Sequence, residues 1–412
     1  MSRYQNSCRF VQSLGLKYPI IQAPMAGVST VQLAATITNH GGLGSIPLGG
    51  VDFTTTVGPI EDLLKSFQSL VPNPDLHRNV NLNFFYHEYK SDPSCGETPP
   101  QKRKVENWVS LVNKSLLGPD RISGDLVSEI TTTSRSLLAA RSKHKMEAAV
   151  LALLAHYQPK VVSFHFGCPE KEFIGKLQGL GIAVHVCATT LAEVDVLLNA
   201  GVDAILCQGD EAGGHRGSFD LSNGTENLST FALTQLVLGK VNGLRLQNPP
   251  VVIAAGGIMD GTVIESLLSL GAGGVMMGTA FLRTPESIVS RTFSKQVEGL
   301  YTDTIITPLV SGRPARCLKT LFVSSLEREY ANLSDKEKGL PDYVYRYVMY
   351  KKILAHLPNQ DGRYGLHLTG QGYPFIRSGL NAQQVFGELT EELEARGWKL
   401  GVDSINELPK VQ

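Results

Sequence analysis

The chain lacks the features that mark membrane, secreted and nucleic-acid-binding proteins. No stretch approaches the roughly 18 consecutive apolar residues that a membrane helix needs, and residues 1–17 have no apolar core of the signal-peptide type. Lys and Arg together number 38, as do Asp and Glu, so there is no net field to attract nucleic acid or an anionic membrane. We therefore expect a cytoplasmic protein with small-molecule partners. A mitochondrial location is the weaker alternative, because residues 1–9 contain two Arg and no acid.

Eight short apolar runs, several rich in β-branched residues, predict the strands of the fold. They lie at residues 18–22, 43–47, 80–84, 160–164, 182–187, 203–208, 251–255 and 274–277. Most carry no polar alternation, which is typical of strands buried on both faces of a parallel sheet. Helix-compatible stretches separate them, most clearly at 191–199 and 262–270. Strand centres recur about 21 to 23 residues apart in the later part of the chain, which predicts an α/β fold of the (β/α)8 TIM-type barrel class.

Two intervals are too long for a single barrel helix and are interpreted as insertions, at about 88–158 and 217–248. The first is expected to hold a mobile polar run at 92–104 and to end in a long helix at 134–156. The barrel with its insertions spans 1–284. The remaining residues, 285–412, are expected to form a smaller helical subdomain that covers the barrel mouth, with helices at 336–356 and 382–396 and a Gly-rich link at 370–373.

The strongest candidate site follows the last two strands, where Gly256 and Gly257 end one run and Gly278 and Thr279 end the next. Glycine lets backbone N–H groups approach a phosphate closely, and the loops after strands seven and eight are the usual phosphate site of such barrels. The alternative is that these glycines only make tight turns. Two such turns at successive strand ends favour a phosphorylated ligand.

Two histidines follow predicted strands and so are expected at the same end of the barrel, His165 and His215. A histidine suits proton abstraction near neutral pH and hydrogen bonding to a developing anion, although a lone histidine is more often structural. The glycines around His215 favour a catalytic role, whereas His165, between two phenylalanines, leaves both interpretations open. Cys168 as a nucleophile is disfavoured by the turn expected at Pro169.

Neutral groups follow the first and third strands. Ala23, Pro24 and Met25 offer backbone groups and a thioether to a flat apolar ring, or alternatively form a turn into a helix capped by Ser29. Asn83 adds an amide that can donate to or accept from a ligand. No charge is supplied by either segment.

A metal site is not expected, although histidine and cysteine residues cluster near strands four to six. The residues concerned are His165, Cys168, His185, Cys187 and Cys207. They show no zinc-type spacing, and the six cysteines of the chain contain no Cys-x-x-Cys pair. This cysteine usage is typical of reduced thiols in a reducing compartment.

Taken together, these motifs resemble the nitronate monooxygenases, formerly called 2-nitropropane dioxygenases. The matching segments, in family order, are 23–27, 165–167, 208–217 and 278–279, and segment 311–316 resembles a later part of the family pattern. The resemblance covers about 18–284 and implies FMN as the cofactor. It implies FMN contacts from Ala23, Pro24, Met25, Asn83, Gln208, Gly213, Gly257, Met276, Met277, Gly278 and Thr279.

The resemblance also implies His215 as the catalytic base, with His165 beside the substrate. The reaction implied is the oxidation of an alkyl nitronate such as propionate 3-nitronate by O2, giving a carbonyl compound with nitrite or nitrate. Electrons would pass singly through a flavin semiquinone, no nicotinamide would be needed, and the role would be nitroalkane detoxification. Arg216 is interpreted either as an anion partner or as a surface residue. A homodimer is left open.

Three other functions compete with this one. An NAD(P)H-dependent FMN reductase of the same barrel type, similar to the enoyl-acyl-carrier-protein reductases or quinone reductases, shares the phosphate loops. A non-catalytic flavin-binding protein is expected to have lost both histidines, which this chain retains. A barrel similar to the inosine-phosphate dehydrogenases needs a catalytic cysteine loop, which Cys207 does not obviously provide. The long insertion at 88–158 departs from the family pattern and leaves the natural substrate open.

Overall fold

The structure is a computed structural model of the 412-residue chain. It describes residues 4–53, 55–86, 99–116, 147–221, 227–299, 303–357 and 362–399, and the following account refers to these. None of the helices within these ranges is long and apolar enough to cross a membrane.

Eight parallel strands form the barrel. They are β1 (Ile20–Gln22), β2 (Gly44–Pro47), β3 (Val80–Phe85), β4 (Val161–His165), β5 (Ala183–Ala188), β6 (Ala204–Gln208), β8 (Val251–Ala255) and β9 (Gly274–Met277). The strand order is β1-β9-β8-β6-β5-β4-β3-β2, and a parallel bridge between Ile21 and Leu43 links the two ends of the sheet. Each predicted run overlaps one of these strands to within a few residues at either end, so the (β/α)8 prediction is confirmed.

Helices cover the outside of the barrel. They are α2 (Val31–Asn39), α3 (Gly58–Leu70), α5 (Glu147–Tyr157), α6 (Lys171–Gly179), α7 (Leu191–Ala200), α8 (Thr230–Gly243) and α9 (Gly261–Leu270); α4 is introduced below. Helix α1 (Gln5–Leu14) precedes β1 and brings Phe10 against the ring of the buried His185. The helices predicted at 191–199 and 262–270 correspond to α7 and α9, and their first residues were predicted to within one position because capping residues mark where each helix begins. Thr190 and Glu193 form a capping box at the start of α7, and Asp260 caps α9 by accepting from the backbone N–H of Val263.

The barrel interior has one polar side. Alternation along β3 places Val80 and Leu82 against the surrounding helices, so Asn81 and Asn83 point inward. Asn81 donates to the Ser45 hydroxyl at 3.0 Å, which extends the polar side to β2. This polar layer lies directly below the end of the barrel that holds the predicted site.

A second apolar core joins the first insertion to the chain after the barrel. It is formed by α4 (Pro99–Ser115), α11 (Leu321–Ala331), α12 (Tyr343–His356) and the segments between β10 (Thr304–Thr307) and α11. The Trp108 side chain is fully buried there, and its indole N–H donates to the carbonyl oxygen of Leu309 at 2.9 Å. Strand β10 pairs antiparallel with β11 (Ala315–Leu318), which pairs with the two-residue strand β7 (Gly214–His215).

The chain after the barrel also supplies a helix to the barrel wall. Helix α13 (Ala382–Ala395) packs against α2 and α9, the helices that follow β1 and β8. It therefore occupies the place of the eighth barrel helix, next to β9. Helix α10 (Ser290–Gly299) lies between β9 and β10 in the chain.

Two expectations about local structure need correction, and a third falls only partly within the described residues. Residues from 99 onward in the predicted mobile run begin α4, because Val105, Trp108 and Val112 form an apolar stripe that the second core buries. The helix predicted at 336–356 starts only at Tyr343, after Pro341. Of the helix predicted at 134–156, the structure describes α5 from Glu147, and residues 117–146 lie outside the described ranges.

Candidate active site

A pocket opens at the carboxyl ends of the barrel strands. The loops after β1, β4, β6, β8 and β9 line it together with α12, and it holds about 1190 Å³ of atom-free space including its open side. As far as the described residues define it, the lining includes both predicted catalytic residues and every predicted cofactor residue except Asn83. These lining residues are Ala23, Pro24, Met25, His165, Gln208, Gly213, His215, Gly257, Met276, Met277, Gly278 and Thr279.

Asn83 lies behind the pocket wall rather than in it. Its side chain is fully buried, and its amide nitrogen lies 3.0 Å from the Ser163 hydroxyl and 3.0 Å from Nδ1 of His165. Because the amide nitrogen only donates, Nδ1 of His165 accepts, and the proton of the neutral ring is on Nε2. Asn83 therefore fixes the tautomer of a pocket residue.

His165 is held neutral as well as oriented. Burial, and secondly the positive charge of Arg313, lower the pKa of His165 to about 4. Phe166, the next residue, has the left-handed backbone conformation (φ 77°), which turns the chain sharply at the end of β4. The imidazole is consequently a neutral hydrogen-bond donor at neutral pH.

The second sheet, together with the barrel, determines the position of His215. It pairs with Ala315 in the β7–β11 ladder, and its Nε2 lies 2.9 Å from the Ser311 hydroxyl. Aromatic rings of Phe166, Tyr343 and Tyr347 meet it edge-on, with centroid distances of 6.1, 5.2 and 5.6 Å. The predicted catalytic base thus lies in an aromatic cage.

Gln208 supports the loop that carries His215. Its side-chain oxygen accepts from the backbone N–H of Gly217 at 2.8 Å, and its amide nitrogen donates to the backbone carbonyl of His215 at 3.1 Å. The Gln208 amide thus holds both ends of segment 215–217 in place.

The two arginines nearest the histidines are buried. The Arg216 side chain is 1% exposed, which corrects its interpretation as a surface residue, and it donates to the Gly209 carbonyl rather than lining the pocket. The Arg313 guanidinium lies 4.2 Å from the centroid of the Phe166 ring and donates to the backbone carbonyl of Ser218. A buried positive charge therefore lies directly behind the wall between the two histidines.

Four of the residues around the histidines were not predicted as site residues: Ser311, Arg313, Tyr343 and Tyr347. The first two belong to segment 311–316, which the sequence marks only as a family-like motif. The tyrosines lie four residues apart and therefore share one face of α12. This spacing could be read from the sequence, but the residues that the face contacts could not.

Burial determines the protonation state of the cysteine thiols near the site. Burial raises the pKa of Cys168 to about 11 and that of Cys187 to about 12, so both thiols stay protonated at neutral pH. The described cysteines are all free thiols, and Cys95 lies outside the described residues. Across the described ranges, no group of three or more His, Cys, Asp or Glu side chains is arranged to hold a metal ion.

The shape of the pocket fits a flat phosphorylated cofactor. Ala23, Met25 and Met276 give it an apolar wall, and the glycines of the loops after β8 and β9 also line it. A Cβ on Gly278 would lie 3.2 Å from both the Ala23 Cβ and the Met25 Sδ, so a side chain there would crowd the wall. A Cβ on Gly256 would lie 2.7 Å from the Thr230 hydroxyl. The glycines thus satisfy both interpretations, tight loop packing and an open cradle.

This fold and this pocket define a (β/α)8-barrel enzyme with a cofactor-sized site at the carboxyl ends of its strands. The model of the nitronate monooxygenase family matches residues 8–392. The chain therefore belongs to the nitronate monooxygenase family, which makes it an oxidoreductase and implies a flavin cofactor.

Individual relatives agree over nearly the whole chain. A Saccharomyces cerevisiae protein named for the same family is 35% identical over 410 residues, covering 97% of this chain and 95% of its own. The nitronate monooxygenase of Pseudomonas aeruginosa is 33% identical, covering 93% of this chain and 99% of its own. Among solved structures, nitroalkane oxidase from Streptomyces ansochromogenes superposes with a TM-score of 0.71 at 28% identity, covering 92% of this chain and 97% of its own.

Proposed function

We propose that the protein oxidises alkyl nitronates of the propionate 3-nitronate type with O2, using FMN, and yields a carbonyl compound with nitrite or nitrate. One observation carries this proposal: the rings of His165 and His215 both contact the Phe166 ring, with centroid distances of 6.3 and 6.1 Å, in the wall of a cofactor-sized pocket. A pair of histidines is suited to an anionic substrate derived from a weak carbon acid.

The residues that could contact FMN form two groups with different chemistry. Ala23, Pro24 and Met25 offer an apolar surface and backbone groups to the ring system, while the loops at Gly257 and Gly278 offer backbone N–H groups to the phosphate. When bound, the flavin would supply the redox chemistry, as an acceptor of electrons from the substrate and a single-electron donor to oxygen. All other steps fall to side chains of the chain itself.

His215 and His165 have different tasks in this proposal. A neutral nitroalkane must lose its α-proton, and His215 accepts it; a preformed nitronate has already lost it, and His215 then hydrogen-bonds the anion. His165, with a pKa of about 4, stays neutral at pH 7 and keeps a proton on Nε2 to donate. The buried positive charge of Arg313 adds a favourable potential for the anion.

Aromatic side chains restrict water at the site. Phe85, Phe166, Tyr343 and Tyr347 all contribute to the pocket lining. Hydrogen bonds and charges act more strongly where water is excluded, which increases the effect of the two histidines and of Arg313.

The test is anaerobic reduction of the purified yellow protein. Propionate 3-nitronate is added without oxygen and without nicotinamide, and the visible spectrum is followed. We expect the flavin absorbance to bleach. A protein that ignores nitronate but is bleached by NADH or NADPH would overturn the proposal and favour the NAD(P)H-dependent FMN reductase.

A further inference from the structure

Ser311 makes three polar contacts, and two of them determine where its proton and that of His215 lie; in the third, the hydroxyl oxygen accepts from the backbone N–H of Arg313 at 3.4 Å. Its hydroxyl oxygen is 3.1 Å from the backbone carbonyl oxygen of Arg313 and 2.9 Å from Nε2 of His215. A carbonyl oxygen only accepts, so the hydroxyl hydrogen is needed for the first contact. The second contact is then a hydrogen bond only if Nε2 of His215 carries a hydrogen and donates it.

This arrangement holds in both charge states of the imidazole. Neutral His215 donates from Nε2 to Ser311, and protonated His215 donates through the same atom, because the serine oxygen continues to accept. The atom that changes on protonation is therefore Nδ1. We propose that Ser311 is a positioning residue that confines proton exchange by His215 to Nδ1; the inference deepens the proposed function and rests on it.

The serine itself is rigidly placed. Its side chain is fully buried, and Gly312, with φ 95°, packs so closely that an added Cβ would lie 2.6 Å from the Cα of Tyr343. The backbone N–H of Gly312 donates to the Pro308 carbonyl at 2.7 Å. Because the turn holds Ser311 in place, its side chain cannot move with the His215 ring if that ring rotates. The hydrogen bond therefore fixes the orientation of the His215 ring.

The charged and titratable groups around His215 come from three elements. Among the described residues they are the phenols of Tyr343 and Tyr347 on α12, Arg313 in the turn after β10, and the chain neighbour Arg216. Burial raises the pKa of the Tyr347 phenol, which therefore stays neutral near pH 7, and the arginines are positive charges. None of them alters which nitrogen Ser311 can bind.

The proton balance of the reaction follows from this assignment. With a neutral nitroalkane, the C–H bond breaks, its proton passes to Nδ1 of His215, and the electron pair stays on the resulting nitronate. Nε2 keeps its hydrogen and its bond to Ser311 throughout. Nδ1 later releases the proton to solvent, which restores the neutral ring. With a preformed nitronate, protonated Nδ1 donates to the anion.

The direct test is nitrogen-15 NMR of the flavin-loaded protein labelled at histidine, with the His215 signals identified by their loss in His215→Gln. We expect neutral His215 to show a protonated Nε2 and an unprotonated Nδ1, and we expect only Nδ1 to titrate. A neutral ring protonated at Nδ1 would overturn the inference. This measurement needs no turnover, so it remains decisive even if nitronate fails to bleach the flavin.

Two variants and a control test the consequence. Ser311→Ala removes the acceptor, and we expect the neutral ring to populate both tautomers, shifting their ratio about five- to tenfold, the effect of one ordinary hydrogen bond. Ser311→Thr keeps a hydroxyl and should restore the Nε2–H form. Ser115→Ala removes another buried serine hydroxyl, one bonded to the Leu111 carbonyl in α4, and should leave the His215 signals unchanged. A Ser311→Ala spectrum identical to the wild type would contradict the positioning role even if the variant were less stable.

Discussion

The side-chain amide of Asn83 donates to Nδ1 of His165 across 3.0 Å, from one barrel strand to the next. Burial and then the charge of Arg313 lower the pKa of His165, and this contact acts in the same direction, since a donor beside Nδ1 opposes a second proton there. Replacing the amide with a carboxylate reverses the effect, because the carboxylate accepts from Nδ1–H and attracts the positive ring.

We therefore predict that Asn83→Asp raises the pKa of His165 from about 4 towards neutrality. The pH profile of kcat/KM for nitronate should gain an ionisation that the wild type lacks between pH 5 and 8. Asn81→Asp is the matched control, because it buries the same charge two residues earlier on β3, where the amide donates to Ser45 instead. If both variants have the same His165 titration, the contact does not set the pKa.

His185 should make the folded state less stable in acid. Its side chain is 3% exposed, and burial lowers its pKa from 6.5 to about 3. The unfolded chain therefore binds a proton below pH 6.5 that the folded chain refuses until about pH 3. The stability contribution is fully present above pH 6.5 and falls with pH by up to about 1.4 kcal/mol per unit.

The measurement is chemical denaturation of wild type and His185→Leu between pH 6.5 and 5, above the range where most carboxylates titrate. We expect the free energy of unfolding of the variant to fall less steeply with decreasing pH. His165 contributes a similar slope to both proteins, so it cancels in the comparison. Parallel curves would show that the His185 pKa is not depressed in the folded state.

Trp108 should hold the second core together. We predict that Trp108→Ala costs about 3 to 5 kcal/mol, the range for emptying a buried aromatic site, and that hydrogen exchange accelerates in residues 309–326. Trp108→Phe should cost less, since it keeps most of the apolar contact and loses the indole bond to Leu309.

Trp398→Ala is the control for this prediction, because Trp398 is 2% exposed and its indole also donates to a carbonyl, that of Lys17, but it packs against the barrel wall. It should lower stability without accelerating exchange at 309–326. Equal exchange in both variants would mean that the second core has no separate stability.

The glycine cradle gives a prediction about flavin content. Gly256 and Gly271 have nearly the same backbone angle, φ 125° and 119°, so alanine causes similar strain at each. A Cβ at Gly256 would meet the Thr230 hydroxyl at 2.7 Å beside the pocket, whereas at Gly271 the nearest atom is 3.5 Å away. We expect Gly256→Ala to purify with much less bound flavin, by absorbance, than Gly271→Ala. Equal flavin loss would assign the effect to strain alone.

The sequence predicted the barrel because parallel strands buried on both faces carry unbroken apolar runs. It did not predict α4, since the apolar stripe through Val105, Trp108 and Val112 becomes meaningful only beside a partner some 200 residues away, as the 201-residue separation of Trp108 and Leu309 shows. Ser311 was missed for the same reason, because its role depends on a contact with His215 across 96 positions. The sequence marked Asn83 as an amide able to contact a ligand, but it carries no information on depth, and the side chain lies behind the pocket wall, on His165.

The core shared by α4 and α12 also affects the order in which parts of the protein can fold during translation. A ribosome completes all eight barrel strands at Met277, yet the last barrel helix, α13, and the aromatic wall of the pocket are still unmade at that moment. Among the described residues, those that bury the indole of Trp108 also lie after the barrel strands, in 309–353. The apolar face of α4 therefore waits for these partners after the strands are complete, and the pocket wall is completed later than the barrel strands.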